Sequence, residues 1–424
     1  MEGLYEITSP PGDHYPSLTA SIQADLAIIG GGLTGLSTAI HAMRAGTETL
    51  LLEANDIGYG GSGRNHGHCV PVLRYLNRER AIRILGEERG ARYTQILLQS
   101  GRSVFSMIRD FDIQCEASHT GALQVADTPL RARRLMQTAA YYASLGVPVR
   151  YLGASEVKEA VGSDRYISGW IHPDGGHLNP LALTRGLARG AAGLGVRIYA
   201  RTPALKIERQ GHSWRITTPQ GSVTARRVIV ASNAYTGKFM PPLGKSFIGL
   251  QAYGLASEPL DPALRRKILP GNQSLGDNRP EVRYFRFDKA NRLVMGGMVE
   301  YVIGVNIPRT IKMMNSRVRE VFPELRDIRW RHFWTGQEAV NHDMQPHVYN
   351  PAENLFALAG YSGRGVPASV AFGEILALAG TGTAARDLPV ETVELRDQHM
   401  ARTIGVLARV FRGPYNRLRS LSSR

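Results

Sequence analysis

The chain has 424 residues, which is more than one ordinary hydrophobic core organises and suits two or three structural units. Its hydrophobic fraction of 43% and charged fraction of 21% are typical of a globular protein in water, and no apolar run approaches the roughly 18–20 residues of a membrane-spanning helix. The net charge of +15 is spread along the chain and concentrates only in the C-terminal tail, so it does not by itself select nucleic acid, an acidic membrane surface or an anionic substrate.

Cysteine is scarce, since Cys69 and Cys115 are the only two and no C-x-x-C pair is present. This argues against a disulfide framework and against a zinc or iron–sulfur centre, so we predict no metal site. Residues 1–18 lack the basic start and apolar stretch of a secretory signal. We therefore expect a cytoplasmic protein, with peripheral attachment to the inner membrane face as an alternative.

The first strongly patterned segment predicts a strand, a glycine-rich turn and a helix. Residues 26–29 are apolar, and Gly30, Gly32 and Gly35 follow in the order G-x-G-x-x-G. These glycines serve a tight turn, a close approach to a pyrophosphate and close packing of helix on strand. Glu53 ends the next predicted strand, where a carboxylate accepts hydrogen bonds from a ribose hydroxyl. This pattern indicates FAD or NAD and disfavours NADP.

The next segment, GYGGSGRNHGHC at residues 58–69, predicts a loop that runs along the cofactor. Glycines permit a close approach and positive φ angles, so such a loop can extend from the ribose toward a ring system. Arg64, Asn65, His66 and His68 would then lie near the reactive end. The loop favours FAD over NAD, and a surface loop that binds nothing is the alternative.

Three later segments add turns of the same kind. Residues 174–199 predict a helix and then a strand, residues 225–236 a strand that ends in small residues, and residues 354–382 a strand, a glycine-rich turn and a helix from about Val366. One long cofactor that bridges distant segments accounts for all of these turns together.

The other regions lack this alternation of strand and helix. They include a strand around residues 282–287, in which Tyr284 and Arg286 share one face. We predict an α/β (α+β, two-lobed) protein with a Rossmann-type FAD-binding lobe and a mixed, antiparallel-sheet substrate lobe. The FAD-binding lobe comprises residues 1–80, 180–236 and 346–397, the substrate or cap lobe residues 81–179 and 237–345, and a basic tail residues 398–424.

Glu53 followed by GYGGSGRNHGH resembles the D-amino-acid oxidase superfamily of FAD-dependent enzymes, and the GGSGRN core is most similar to its gamma-glutamylputrescine oxidase branch. The resemblance covers nearly the whole chain. It implies FAD and oxidation of a C–N bond in an amine or amino acid. Non-covalent binding of FAD is favoured, and a covalent link through His66 or Cys69, of the kind that some relatives have, is the alternative. The predicted cofactor-binding residues are Gly30, Gly32, Leu33, Thr34, Gly35, Glu53, Ala54, Gly61, Ser62, Arg64, Asn65, His66, Gly67, Ser232, Gly360, Ser362, Gly363, Arg364, Gly365 and Val366.

The resemblance also suggests residues for chemistry and specificity. His66 is the first candidate for a proton acceptor, because an unperturbed histidine titrates near operating pH. Arg364 and Tyr284 are the other catalytic candidates, although the branch often has Gly where His66 stands and His where Arg364 stands. A group of arginines suggests a substrate that carries a carboxylate. The predicted substrate-binding residues are Arg64, His68, Tyr253, Arg286 and Trp334.

The electron acceptor and the partners stay open at this point. Some relatives have a lysine near the strand that contains Val294 and Met295 here, so direct use of O2 is in doubt and a quinone or carrier protein is an alternative. The tail suits either packing on the FAD lobe or a peripheral membrane or partner contact. A flavin-containing RNA-modification protein and a partner-binding subunit are the rival functions, but no nucleic-acid-binding module is visible.

Overall fold

The computed structural model describes residues 3–73, 76–279, 283–298, 305–363 and 365–398. The helices in these residues are α1 (Leu4–Thr8), α2 (Leu33–Arg44), α3 (Gly61–Arg64), α4 (Arg78–Leu85), α5 (Glu87–Asp110), α6 (Pro129–Ser144), α7 (Ala154–Val161), α8 (Pro180–Gly193), α9 (Pro241–Lys245), α10 (Pro262–Lys267), α11 (Ile307–Val321) and α12 (Gly365–Thr381). None of these helices is both long and apolar enough to cross a bilayer.

The strands of the described residues form two large sheets and one two-stranded ladder. They are β1 (Ser21–Ile29), β2 (Thr49–Leu52), β3 (His68–Cys69), β4 (Ala122–Ala126), β5 (Arg150–Leu152), β6 (Ser168–His172), β7 (Gly176–His177), β8 (Arg197–Tyr199), β9 (Lys206–Gln210), β10 (Ser213–Thr217), β11 (Ser222–Val230), β12 (Ile248–Pro259), β13 (Ser274–Asp277), β14 (Tyr284–Phe287), β15 (Arg292–Met298), β16 (Trp330–Val340), β17 (His347–Ala352), β18 (Leu355–Ala359) and β19 (Thr392–Val393).

The first sheet has a parallel centre. Its strand order is β19-β17-β18-β11-β1-β2-β8, and β9 and β10 extend β11 as an antiparallel hairpin. Strand β1 pairs in parallel with β2 and β11, and its last four residues are buried, as are all four of β2. Apolar runs of this kind are typical of parallel strands covered on both faces. One face packs against α2, α8 and α12, whose buried side chains belong to a single core.

The second sheet is mostly antiparallel and has the order β16-β12-β15-β14-β13-β4-β6-β5. Its far face packs on α11, where Met314 and Val318 meet Phe285 and Leu255 of the sheet. Its near face turns toward the loop between β2 and β3. Strands of the first sheet therefore lie within residues 21–52, 197–230 and 347–393, and those of the second lie within residues 122–172 and 248–340.

The predicted fold class is confirmed, because a sheet of Rossmann type is built from discontinuous segments and a second, mixed sheet faces it. One helix packs on a different sheet from the one that its place in the sequence suggested. Helix α5 lies in residues 81–179, which we assigned to the substrate lobe, yet Tyr93 and Val104 pack into the core of the first sheet beside α12. The glycine loop also contains a short helix, α3, that the sequence did not indicate.

The turn between β1 and α2 depends on the absence of side chains. A Cβ atom on Gly35 would collide with the carbonyl oxygen of Gly30, and Gly30 itself has φ +119°. The predicted packing role of Gly35 is therefore confirmed. Helix α2 approaches β1 closely enough to direct its first turn at the edge of the sheet where the candidate site lies.

We expect Gly35→Ala to lower the free energy of unfolding by about 1–3 kcal/mol, because the new methyl group overpacks a rigid backbone contact. Gly193→Ala is the matched control, since Gly193 also lies in a helix but a Cβ there meets nothing within 4 Å. This control should be neutral or should stabilise the protein by about 0.5–1 kcal/mol through helix propensity. Urea unfolding of both apoproteins measures the difference, and equal stability of the two variants would contradict the packing argument.

Candidate active site

A cavity of about 540 Å³ runs along the C-terminal edge of β1 and β2. Its volume lies within the range of roughly 300–1,000 Å³ found for ligand and cofactor sites. At one end it is lined by Glu53 and neighbouring residues, and at the other it reaches the second sheet at Ala252 and Gly336. The cavity thus connects the two sheets, as an extended dinucleotide requires.

The end of the cavity near β2 is organised by the carboxylate of Glu53. Its Oε2 accepts a hydrogen bond from the Gly31 backbone N–H at 2.7 Å, and Oε1 accepts one from Asn55 N–H at 2.9 Å. Burial raises the pKa of this carboxyl group. A carboxylate offers about four acceptor positions, so Glu53 keeps capacity for ribose hydroxyl groups. A Cβ on Gly31 would lie 3.0 Å from Glu53 Cβ, so this position also requires a small residue.

The middle of the cavity faces the N-termini of two helices. Helix α2 begins after Gly32, which supplies no side-chain cap, and the Leu33 N–H donates to Ser62 Oγ at 2.9 Å. A Cβ on Gly32 would lie only 2.6 Å from that oxygen. Helix α12 begins at Gly365, which lines the same cavity. Two helix N-termini create a positive potential suited to a pyrophosphate and to a ring that gains negative charge.

These features fit FAD. The cavity is a continuous space lined by glycines at a turn of Rossmann type, with an acidic side chain at one end and helix N-termini along its length. Of the predicted cofactor-binding residues, those that line it are Gly30, Gly32, Leu33, Thr34, Glu53, Ala54, Gly61, Ser62, Arg64, Asn65, His66, Ser232, Gly363, Gly365 and Val366.

Four other predicted cofactor residues do not line the cavity and lie behind its wall. Gly35 and Gly67 accommodate close backbone contacts, with the carbonyls of Gly30 and Leu178 respectively. Gly360 has φ +89° and donates its N–H to Asn233 Oδ1, and the buried Ser362 donates its hydroxyl to the Gly360 carbonyl. Arg364 lies outside the described residues.

The end of the cavity at the second sheet is built around His66. Its Nε2 lies 2.9 Å from the Tyr253 carbonyl oxygen, so this nitrogen carries the hydrogen and donates. Nδ1 then accepts from the Tyr284 hydroxyl at 3.0 Å. Burial, which outweighs the hydrogen bond to Tyr253, lowers the pKa of His66 to about 4. The prediction that His66 accepts a proton near neutral pH is therefore corrected: the imidazole is neutral and both of its nitrogens are engaged.

Two buried side chains hold the backbone of the glycine loop from behind. Trp334 Nε1 donates to the Arg64 carbonyl at 2.9 Å, and Arg286 Nε donates to the His66 carbonyl at 2.6 Å. Arg286 is 1% exposed and does not line the cavity. The structure thus corrects its predicted role as a substrate ligand, because its guanidinium is committed to the loop. Trp334, predicted to bind substrate, packs with Tyr5 and Leu181 and does not line the cavity.

Of the other predicted substrate residues, one lines the cavity and two do not. Arg64 lines it, with its guanidinium 4.3 Å from the ring centre of Tyr59. His68 lies behind His66, where its Nδ1 is 2.8 Å from Ser274 Oγ and its ring packs edge-on against Tyr284. The predicted role of Tyr253 in substrate binding is corrected, because its ring stacks on Phe333 in the core on the opposite face of the sheet.

Several residues that line the cavity were missed by sequence reasoning. Tyr235 and residues 236–239 follow β11, Glu338 lies on β16, and Tyr361 and Ser369 flank the start of α12. The Tyr361 hydroxyl is hydrogen-bonded to the Thr34 hydroxyl. The small-residue turn after β11 was a signal for the first group. Glu338 carried no such signal, because its strand could be assigned to a face only once its partners were known.

Comparison with known proteins agrees with this geometry. Residues 25–379 match the model of the DAO family, described as FAD dependent oxidoreductase. The chain is 33% identical over 365 residues to the probable oxidoreductase OrdL of Rhizobium meliloti (strain 1021), which covers 85% of this chain and 84% of that protein. It is 30% identical over 370 residues to gamma-glutamylputrescine oxidoreductase of Escherichia coli (strain K12), covering 86% and 85%.

Solved structures share the fold at low sequence identity. Glycine oxidase from Geobacillus kaustophilus superposes with a TM-score of 0.70 at 19% identity, covering 84% of this chain and 94% of that one. L-proline dehydrogenase from P. horikoshii gives 0.71 at 18% identity, covering 86% and 93%. The cavity and these comparisons define a flavoprotein oxidoreductase. The chain belongs to the DAO family of FAD-dependent oxidoreductases, and the predicted resemblance is confirmed.

Glu53→Gln should weaken FAD binding by about tenfold or more, because an amide replaces one charged acceptor oxygen with a donor that opposes a backbone N–H. Glu48→Gln is the matched control, since Glu48 precedes the same strand and its exposed side chain pairs with Arg197 at the sheet edge. Titration of apoprotein with FAD, followed by flavin fluorescence, gives both dissociation constants. Equal affinity of the two variants would remove Glu53 from the cofactor site.

The lowered pKa of His66 makes stability depend on pH in a defined direction. Its contribution is fully present above about pH 6.5 and is lost as pH falls toward 4, because only the unfolded chain takes up the proton in that interval. We expect His66→Asn to reduce the loss of unfolding free energy between pH 7 and pH 5 by about 2 kcal/mol. His212→Asn, at an exposed position, should leave that loss unchanged. Urea titrations at both pH values test this, and an unchanged slope in His66→Asn would contradict it.

Proposed function

We propose that this protein oxidises a C–N bond in an amine or an amino acid. The observation that carries the proposal is the neutral pair at the end of the cavity that meets the second sheet, where His66 is hydrogen-bonded to Tyr284. FAD held in this cavity would supply the hydride acceptor. The substrate loses a hydride from the carbon next to nitrogen, and water then hydrolyses the resulting imine to a carbonyl compound and an amine or ammonia.

The neutral His66–Tyr284 pair favours a substrate amine in its uncharged form. Burial also raises the pKa of the Tyr284 phenol, so this hydroxyl stays protonated at neutral pH. Transfer of an ammonium group from water into such surroundings is unfavourable, and the amine therefore loses its proton before oxidation. A strong general base is not required of the chain for this route.

Fewer arginines are available to bind the proposed substrate carboxylate than the sequence suggested. Arg286 is committed to the His66 carbonyl, so Arg64 is the arginine of the described residues whose side chain lines the cavity near that end. Its planar guanidinium is suited to a carboxylate. The name of the E. coli relative, gamma-glutamylputrescine oxidoreductase, supports an amine that carries an amino-acid group elsewhere in the molecule.

For the electron acceptor we propose O2 or, as an alternative, a quinone or a carrier protein. Val294 is buried beside Trp334 and Met295 is buried in the opposite core, so this strand brings no lysine to the cavity. The family match favours an oxidoreductase over an RNA-modification protein or a partner-binding subunit. The tail assigned to partner or membrane contact lies outside the described residues from residue 399 onward.

The visible spectrum of the purified protein is the first test. We expect flavin absorption bands, release of the yellow colour into the supernatant after acid precipitation, and anaerobic bleaching by amines or amino acids, with anionic ones reacting fastest. Rapid-mixing measurements on the reduced protein then compare the rates of reoxidation by O2 and by a soluble quinone, and the faster rate identifies the acceptor. Colour retained in the pellet would mean covalent flavin. A colourless protein that cannot be reconstituted with FAD would overturn the proposed function.

A further inference from the structure

Two residues of the short helix α1 are buried between helix α8 and the second sheet. Leu4 and Tyr5 are only 1% and 2% exposed, and they pack with Trp334 and Val294 of the second sheet and Leu181 of helix α8. Residues of such a short segment near a chain end are usually exposed unless specific contacts hold them. The contacts of Tyr5 therefore call for an explanation.

The Tyr5 hydroxyl is joined to the glycine loop through a single side chain. Arg286 donates from Nη2 to the Tyr5 hydroxyl oxygen at 2.9 Å and from Nε to the His66 carbonyl oxygen at 2.6 Å. The guanidinium also lies directly against Gly67, where a Cβ would be 3.1 Å from both of these nitrogens. A planar fork with two bonds of fixed geometry has little freedom to rotate. The position of the His66 carbonyl is thus tied to the position of the Tyr5 hydroxyl.

The ring of Tyr5 is joined to the same loop by a second route. It packs edge-on against Trp334, with ring centres 5.0 Å apart and planes at 63°. Trp334 in turn donates Nε1–H to the Arg64 carbonyl at 2.9 Å. Tyr5 therefore contacts both side chains that hold the loop, Arg286 and Trp334. These two side chains bind the backbone carbonyls that precede and follow Asn65.

The helix that presents Tyr5 is itself anchored. Asn179 Nδ2 donates to Thr8 Oγ1 at 3.0 Å, and Ser9 Oγ donates to Asn179 Oδ1 at 3.0 Å. The same Oδ1 accepts the Ala182 N–H and so caps helix α8. Helix α1 is consequently anchored to the start of α8, which packs on the first sheet, while Tyr5 contacts side chains of the second sheet.

From these contacts we infer that Tyr5 is a positioning residue for the cofactor-binding loop at residues 64–67, acting through Arg286 and Trp334. Tyr5 does not line the cavity. Its hydroxyl orients the guanidinium of Arg286, and its ring orients the indole of Trp334. Two backbone carbonyls of the loop are thereby fixed at the end of the cavity that meets the second sheet. The inference rests on the proposed function only in taking that end as the place of the flavin ring.

Tyr5→Phe is the variant that tests this, because it removes one hydroxyl group and keeps the ring. Tyr166→Phe is the matched control, since Tyr166 is also 2% exposed but its hydroxyl has no hydrogen-bond partner among the described residues. We expect Tyr5→Phe to raise the Kd for FAD about tenfold, the scale of a lost buried hydrogen bond to a charged group. It should also change the visible circular dichroism of the bound flavin, which reports the surroundings of the ring. Tyr166→Phe should change neither.

A double-mutant cycle separates positioning from a general loss of stability. Arg286→Lys removes the fork, and if Tyr5 acts on the loop through that fork, adding Tyr5→Phe to Arg286→Lys should raise the Kd for FAD less than twofold further. Additive effects, or a Tyr5→Phe variant with the Kd and flavin dichroism of the unmodified protein, would overturn the inference. Failure of the unmodified protein to bind FAD would instead overturn the proposed function, so the two failures are distinguishable.

Discussion

The structure depends on backbone segments that approach one another with no side chain between them. Helix α2 reaches the edge of the first sheet only because Gly35 leaves room for the carbonyl of Gly30. The same constraint recurs in the glycine loop, where Gly63 faces the carbonyl of Gly58 and Gly67 faces that of Leu178. Gly35, Gly63 and Gly67 lie behind the wall of the cavity and let the backbone segments that form the wall pack closely. Backbone N–H groups can then face an extended ligand along its length.

The two sheets meet at this loop. The first sheet supplies the turn and Glu53, and the second supplies the side chains that hold the carbonyls of Arg64 and His66. The residues that support the loop are accordingly large and buried, whereas the loop itself is rich in glycine. A rigid support compensates for the conformational freedom of the glycines, because the flexible segment is fixed through its backbone and not through its own side chains.

Much of the first half of the site was predictable from sequence, since it depends on local patterns. The strand, the glycine turn, the helix and the terminal Glu53 each follow from spacing along one continuous segment. Tyr253 was misplaced because alternation along a strand gives two faces without saying which one is covered by α11 and which by the loop. Arg286 and His66 were misjudged for a related reason. Their hydrogen-bond partners come from segments far away in sequence, so burial and pKa could not be inferred locally.

The position of β18 in the first sheet has a consequence for synthesis of the chain. This strand, Leu355–Ala359, pairs with residues 228–230 of β11. More than a hundred residues, which include β12 to β16 of the second sheet, are therefore synthesised after β11 and before its partner β18. Until then the growing chain carries an open, apolar edge of the kind that recruits strands from other molecules. Helix α12, which completes the cavity, emerges later still. The order of translation therefore delays the cofactor site until nearly the whole sequence has left the ribosome.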